Sequence, residues 1–483
     1  MSSSILSRVA GLGVLTAAGQ LLIVGSLPAY SNIFDPGTYG EYVIFVGCYT
    51  VLSVLAGVRY DSAIVLPRSD GVAASLSALV MSIALAVSAL IAAATLLASS
   101  TGWLPEHWAA AAPHFGYGLA AATLVGALQR CLTSWCVRGR RFLSMGVGQF
   151  IFCLITVAAQ LGFARFMNPL PALIWGYVVA LIAQTACLLT SVPGARPPPA
   201  RVQLLRSMRV AARKYRRFPT YMVGYALAST VRDRLIQVVL GFGAGAAVVG
   251  RFGLAYRVVF APNSLVYSAI SPVFYAIASR GNPLRVGRFA AGLVEATFAI
   301  LVVPYVALVF EAPMLADAVL SAKWHGTGPY LQALAGPALL LAATCWLDRA
   351  FDSFRRQRVA FSLEASFTLI SVSLVGGLSM LVDPLAVAWA FGITALIYYW
   401  IYFLLTFIAC GFEMAEFSRA CRNGLIVVGV VSAGAVATQL AGTILLRAAC
   451  YAALMAGVIA IWIRCLGGAD TMRMLTQSQN ASD

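Results

Sequence analysis

Of 483 residues, 61% are hydrophobic and only 10% are charged, and mean hydropathy is +0.86. An ordinary soluble domain is about 45–50% apolar and about 25% charged, so this chain cannot coat a soluble surface, and intrinsic disorder is excluded on the same ground. The formal charge of +16 points, in so apolar a chain, to basic cytoplasmic loops rather than to nucleic acid.

Apolar runs follow one another at 9–30, 41–64, 72–98, 113–137, 142–164, 171–192, 219–240, 248–275, 287–309, 328–349, 358–380, 385–409, 423–443 and 446–464. Each can supply the roughly 20 residues that a helix needs to cross a bilayer. A transmembrane barrel would instead show segments of about ten residues with alternating polarity. The sequence therefore predicts an all-α polytopic membrane protein with 14 transmembrane helices, spans 1 to 14. The connections are too short to hold a soluble catalytic domain.

Basic residues divide by side. Loops on one face hold 25 of the 33, the alternate loops only Arg165, Lys323 and Arg447, and five lie within spans. The positive-inside rule then puts both termini in the cytoplasm. The longest polar stretch, 193–218, carries Arg201, Arg206, Arg209, Arg213, Lys214, Arg216 and Arg217, with Leu205, Met208, Ala212 and Tyr215 on the opposite helical face. It reads either as a basic amphipathic helix lying on the inner leaflet or as a plain linker.

Tyr39-Gly40-Glu41-Tyr42, opening span 2, matches Val249-Gly250-Arg251-Phe252, opening span 8. This predicts two six-helix lobes in parallel repeat, an N-lobe of 1–192 (spans 1–6) and a C-lobe of 219–409 (spans 7–12). Residues 193–218 join them, and 410–483 append spans 13–14 and a cytoplasmic tail. Such repeats are a transporter architecture with the substrate site between lobes. Pro262 is expected to interrupt span 8 and Pro304 to lie within span 9, giving the scaffold places to bend.

Catalytic signatures are absent: no P-loop, no G-x-S-x-G and no H-E-x-x-H occur, and the ten cysteines contain no C-x-x-C pair. No cofactor or metal is implied, and no enzyme activity. What stands out is charge inside the spans, which costs about 2.5–3.5 kcal/mol per group on insertion scales and persists when paired or wet. Span 7 carries Arg232-Asp233-Arg234, span 8 Arg257 and span 4 Arg130; Arg59 sits at the end of span 2. No Asp or Glu occurs from 107 to 232, so Arg130 has no acidic neighbour in its own helix. Asp233 can neutralise one flanking arginine only, and Arg232 and Arg234 point about 200° apart. The surplus positive charge calls for an anion, best a phosphate or pyrophosphate, which arginine forks grip bidentately. Glu295 and Glu364 read either as partners of arginines or as coupling sites for a proton or cation.

The motif Phe34-Asp35-Pro36-Gly37-Thr38-Tyr39-Gly40-Glu41-Tyr42, followed by Val58-Arg59-Tyr60-Asp61-Ser62-Ala63-Ile64-Val65-Leu66-Pro67-Arg68, resembles the first helical hairpin of Wzx-type polysaccharide flippases, in the multidrug/oligosaccharidyl-lipid/polysaccharide exporter superfamily. Isolated matches continue through Phe218-Pro219, Asp233-Arg234, Gly241, Gly250, Ala255-Tyr256-Arg257 and Pro262, then Ala312-Pro313, Trp324 and Gly328-Pro329-Tyr330. Phe252 and Ser321 depart from the family pattern. The resemblance implies translocation of an undecaprenyl-pyrophosphate-linked oligosaccharide across the bacterial inner membrane, for exopolysaccharide, capsule or O-antigen (lipopolysaccharide) biosynthesis. It implies an arginine-lined cavity, membrane lipids as surroundings, and polymerase and glycosyltransferase partners. Asp233, Arg234 and Arg257 match family positions, whereas Arg130 and Arg232 rest on charge alone. The alternatives are a lipid II flippase, a multidrug/cation antiporter of the same superfamily, whose cavity would be acidic, and a membrane polysaccharide polymerase or ligase, which would need a large outward loop.

Overall fold

The computed structural model describes residues 3–101, 112–139, 141–192, 201–216, 223–224, 226–227, 230, 234, 237, 240, 245–279, 281–379, 381–440 and 444–465. Among the described residues the secondary structure is helical, without strands. Twelve helices are long and apolar enough to cross a membrane. Of the remaining two expected spans, span 4 is a helix whose polar residues lower its hydropathy, and span 7 is described only at scattered helical positions.

The chain opens with α1 (Ser3–Gly25) and α2 (Leu27–Ile33), one span bent at Ser26, whose hydroxyl bonds the Ile23 carbonyl. The Phe34-Asp35-Pro36 step starts α3 (Pro36–Gly57): Asp35 caps it by accepting from the Thr38 amide at 3.0 Å and hydroxyl at 2.7 Å, and Pro36 fills the first turn, where no amide is needed. α3 ends where Val58 and Arg59 both turn left-handed, at φ 43° and 57°. One short turn, α4 (Tyr60–Ala63), leads to the long α5 (Asp70–Ser100), and α6 (Ala112–Arg138), α7 (Phe142–Phe163) and α8 (Pro169–Thr190) follow.

The basic segment forms α9 (Arg201–Lys214). One side of it packs on protein. Met208 and Ala211 are buried, and Ala211 joins a cluster with Ala56, Ile64, Ala73 and Leu76. Ser75 and Ser207 are bonded at 3.0 Å, and Tyr60 donates to the Ala212 carbonyl at 3.3 Å. Of the two readings of this stretch, a helix forms, and its buried face rests on the α3–α5 hairpin.

The second half comprises α10 (Ala246–Ala278), α11 (Pro283–Val319), α12 (Gly328–Thr344), α13 (Asp348–Ser353), α14 (Gln357–Leu378), α15 (Pro384–Cys410), α16 (Met414–Thr438) and α17 (Ile444–Cys465). Pro262 does not interrupt α10, and α11 runs unbroken through Pro304 and Pro313. Proline removes the donor for the carbonyl four residues earlier. At Pro313 that carbonyl belongs to Val309, and the Gln332 side chain supplies the missing donor at 2.7 Å. α16 begins nine residues before the apolar run that predicted it, because its polar first turns find partners on α11, described below.

By contacts the chain forms two compact units, one of Ser7–Gly250, the other of Arg251–Asp483 with Met1–Leu6. The second has a dense aromatic core in which Phe274 and Trp346 meet edge to face at 4.8 Å, and Phe403, Phe407 and Phe417 all touch one another at tilted or edge-to-face angles.

Candidate functional site

In the first unit the charged residues gather where α3 gives way to α4. Asp61 is buried, and Arg130 reaches it from α6, Nε to Oδ2, at 3.6 Å. The same guanidinium donates to the Ser53 carbonyl at 2.8 Å. That carbonyl lies in the last turns of α3, one turn before the helix ends at Gly57, so Arg130 ties α6 to the end of α3. Arg130 has no carboxylate in its own helix, as expected, but the pairing with Asp61 takes it out of the expected surplus of positive charge. Its partner comes from another helix, 69 residues earlier in the chain, which no reading of its own helix can reveal. Arg59 is half-buried next to this pair, and its Nε has no hydrogen-bond partner. A β-branched residue at positive φ is a genuine outlier, so Val58 marks strained backbone, directly before that arginine.

At the opposite end of α3 the matched glycines meet. A Cβ on Gly40 would lie 1.8 Å from the Ala246 carbonyl oxygen, and one on Gly250 would lie 1.9 Å from the Pro36 carbonyl oxygen. The contact is reciprocal: each glycine packs on the residue four positions before the other. Only glycine permits this approach of backbones, which explains why the repeated motif keeps one at both places.

Arg234 is helical and half-buried, and makes no ion pair or hydrogen bond among the described residues. Arg232 and Asp233 lie outside the described residues. Arg257 is half-buried on α10, about 9 Å of helix rise beyond Arg251. Arg251 is half-buried too, with Nε unbonded. Thus Arg59 and Arg130 share one site, and Arg234 and Arg257 belong to different units.

In the second unit the buried carboxylates are held by other helices. Glu295 of α11 accepts from Arg419 at 3.2 Å and from Asn423 at 3.0 Å, both on α16. Glu416 bonds Arg288 at 3.1 Å and Arg419 at 2.6 Å. Glu311, farther along α11, binds Arg447 of α17 at 2.9 Å, with Gln439 closing the group. Glu364 accepts from Tyr398. The Glu295–Arg419 pair realises one of the two readings held open for that residue. The sequence showed Arg447 only as a basic residue of the alternate loops and left Glu311 unnoticed just past its apolar run; their pairing is purely tertiary.

Outside the spans, burial pushes the Asp35 carboxyl up, but hydrogen bonds from the Thr38 amide and hydroxyl outweigh this and hold it below the usual aspartate range. Among the described residues no cluster of His, Cys, Asp and Glu is suited to a metal ion.

Comparison with solved structures finds the same fold in "Lipid II flippase MurJ, inward closed conformation", at a TM-score of 0.69 and 14% identity, over 96% of this chain and 100% of that one. An inward-facing multidrug resistance MATE family transporter of the MOP superfamily matches at 0.53 and 12% identity, over 84% and 94% of the two chains. A Vibrio cholerae MATE transporter in its bent form matches at 0.51 and 16%, over 86% and 98%. Comparison with curated protein sequences gave no match. A family model described as polysaccharide biosynthesis protein matches residues 32–329. That range holds every motif residue behind the resemblance to Wzx-type flippases except Tyr330, and the resemblance stands. Since the match takes in more than half of the sequence, the chain belongs to this polysaccharide biosynthesis protein family.

Proposed function

We propose that the protein moves undecaprenyl-pyrophosphate-linked oligosaccharide repeat units across the bacterial inner membrane by alternating access, with both termini in the cytoplasm, as a step in exopolysaccharide, capsule or O-antigen assembly. One observation carries this reading: membership of a polysaccharide biosynthesis family, on a fold shared along nearly the whole chain with a lipid II flippase. Guanidinium groups in a low-dielectric setting bind phosphate oxygens strongly. Arg234 and Arg257 take the pyrophosphate, Arg232 adds to it, and Asp233 offsets one charge of that pair. Arg59 meets the head group at the hairpin, where Arg130 acts as a positioning residue through Asp61. The sugars cross in water while the polyprenyl chain stays in lipid. Polymerase and glycosyltransferase partners stand before and after this step; neither a cofactor nor nucleic acid takes part. A second reading, transport of lipid II, is favoured by the coverage and TM-score of that structural match.

The test is translocation of labelled lipid-linked oligosaccharide, and separately of lipid II, in proteoliposomes. Wild type should flip the first substrate. Arg234→Ala and Arg257→Ala should each slow it about tenfold or more, since a hydrogen bond to a charged group contributes about 1.5–3 kcal/mol. Unchanged rates in both variants remove those arginines from the site. Movement of lipid II alone selects the second reading, and movement of neither substrate by wild type overturns the function.

A further inference from the structure

An apolar cavity of about 420 Å³ lies wholly within the second unit, walled by α11, α12, α15 and α16. Its walls are aliphatic and aromatic, with Phe298, Leu340 and Phe403 inside and Glu295 at one end. Leu425 is 73% exposed and Trp400 47% exposed, although both line it. The cavity is therefore a slot, open along the side of the helix bundle between α15 and α16. On α16 its lining runs from Ala420 to Ser432, about 18 Å of helix rise. One leaflet of hydrocarbon is about 15 Å deep, half of the core.

The Glu295 end of the slot is also its charged end. There Glu295 and Glu416 are matched by Arg419 and Arg288, so those four groups balance. Arg422 is left over. It is exposed and makes no ion pair or hydrogen bond among the described residues, and it lies three residues before Leu425, one helical turn away on the same face. A surplus guanidinium thus stands at the rim where the slot opens, and a tryptophan lines the same opening from α15. Arginine and tryptophan at such a depth are the side chains that meet lipid head groups.

We propose that this slot binds one acyl chain of an anionic phospholipid, with its phosphate on Arg422. Lipid tails are as apolar as the slot, so chain burial by itself gives no hydrophobic gain inside a bilayer. Selectivity then comes from the anionic head group. The depth of a single leaflet fits an ordinary acyl chain, whereas a long polyprenyl chain would overrun it. The site does not depend on what the protein transports, and its test reads no transport.

The experiment uses the full-length protein in nanodiscs that contain either brominated phosphatidylglycerol or brominated phosphatidylcholine at equal mole fraction, and follows quenching of tryptophan fluorescence. Trp400→Phe identifies the Trp400 part of the signal. That part should be quenched more by the phosphatidylglycerol, with about a fivefold preference, since one arginine near an anionic head group is worth about 1 kcal/mol. Arg422→Gln, an exposed change that leaves the core intact, should abolish the preference. Gly424→Leu, which fills the slot, should remove quenching by either lipid. Equal quenching by the two lipids in wild type overturns the proposal, as does a preference that survives Arg422→Gln. Relief of the phosphatidylglycerol quenching by stoichiometric unbrominated polyprenyl phosphate overturns it in favour of the transported lipid as occupant.

Discussion

The two units handle buried charge differently. In the first, Asp61 sits at a helix break with strained backbone, and Arg130 divides its guanidinium between that carboxylate and the Ser53 carbonyl of α3. In the second, Glu295 and Glu311 sit within one unbroken helix, about 24 Å apart along it, and each takes an arginine from a helix late in the chain. The first arrangement holds a hairpin in an unusual shape beside an arginine with spare hydrogen-bonding capacity. The second fastens α16 and α17 to α11 at two heights. Spans 13 and 14, an appendage by sequence, are thus tied into the second unit by charge as well as by packing. Charge on α11 serves assembly, whereas charge at the hairpin is what we propose meets the head group.

The largest effect should come from breaking the tie at Glu311, which is 4% exposed. Glu311→Ala leaves the Arg447 guanidinium without its carboxylate, and removing one partner of a buried pair costs about 3–5 kcal/mol. Replacing both by leucine removes the stranded charge, so the double variant should recover most of the loss. Thermal unfolding of the purified protein measures both. A double variant no more stable than the single one would mean that the pair does not fasten α17.

Next in size is the reciprocal glycine contact. Gly250→Val brings its Cβ within bonding distance of the Pro36 carbonyl oxygen, and backbone cannot rotate away as a side chain can. Overpacking of this kind costs about 1–3 kcal/mol. Gly13→Ala, inside α1 where the new methyl meets open space, is the control and should not lower the unfolding temperature, since alanine is the better helix residue.

These cases also mark what the sequence could tell. Continuous apolar runs fix the class and most of the spans, because the cost of unpaired backbone in lipid leaves helices as the form for such runs. The apolar run placed the start of span 2 at 41, five residues late, because the signal of Asp35 and Pro36 is a cap and a proline within one turn rather than a run of apolar residues. Pro262 was misread as an interruption because the penalty for a lost donor is local, while the packing that overrides it is not. The first turns of α16 look polar in isolation and become helical span only when Arg288 and Glu295 face them. Asp61 stands two residues from Arg59 in the sequence, whereas the cation it pairs with comes from α6. For the candidate site, residue types were legible and partners were not. Arg130 illustrates this: its charge is visible in the sequence and its neutralisation only in three dimensions.

Smaller effects follow at the strained hairpin. Val58→Gly relieves the left-handed β-branched residue; strain of this kind costs about 1–3 kcal/mol, and glycine returns part of the gain as chain entropy, so a net rise of about 1 kcal/mol is expected. If the strain serves to hold Arg59, the same variant should flip substrate more slowly while unfolding at a higher temperature. Gain of stability with unchanged transport would separate the backbone outlier from function.

The smallest effect concerns the cap of α3, at the other end of the same helix. Because hydrogen bonds hold the Asp35 carboxyl below its usual range, the folded state favours the ionised form. The cap's contribution is therefore full above the ordinary aspartate range and falls away as pH drops through the lowered value. Hydrogen exchange at the Thr38 amide should accordingly lose protection on acidification, after allowance for the intrinsic pH dependence of exchange. Asp35→Asn retains an acceptor but not the charge, so it should keep protection at neutral pH and lose the pH response. A response that persists in the variant would assign it to another acid. The cap works through one charge and two local bonds, whereas the Gly40 contact one turn later is set by shape alone; acidification should therefore loosen the first turn of α3 and leave the glycine contact intact.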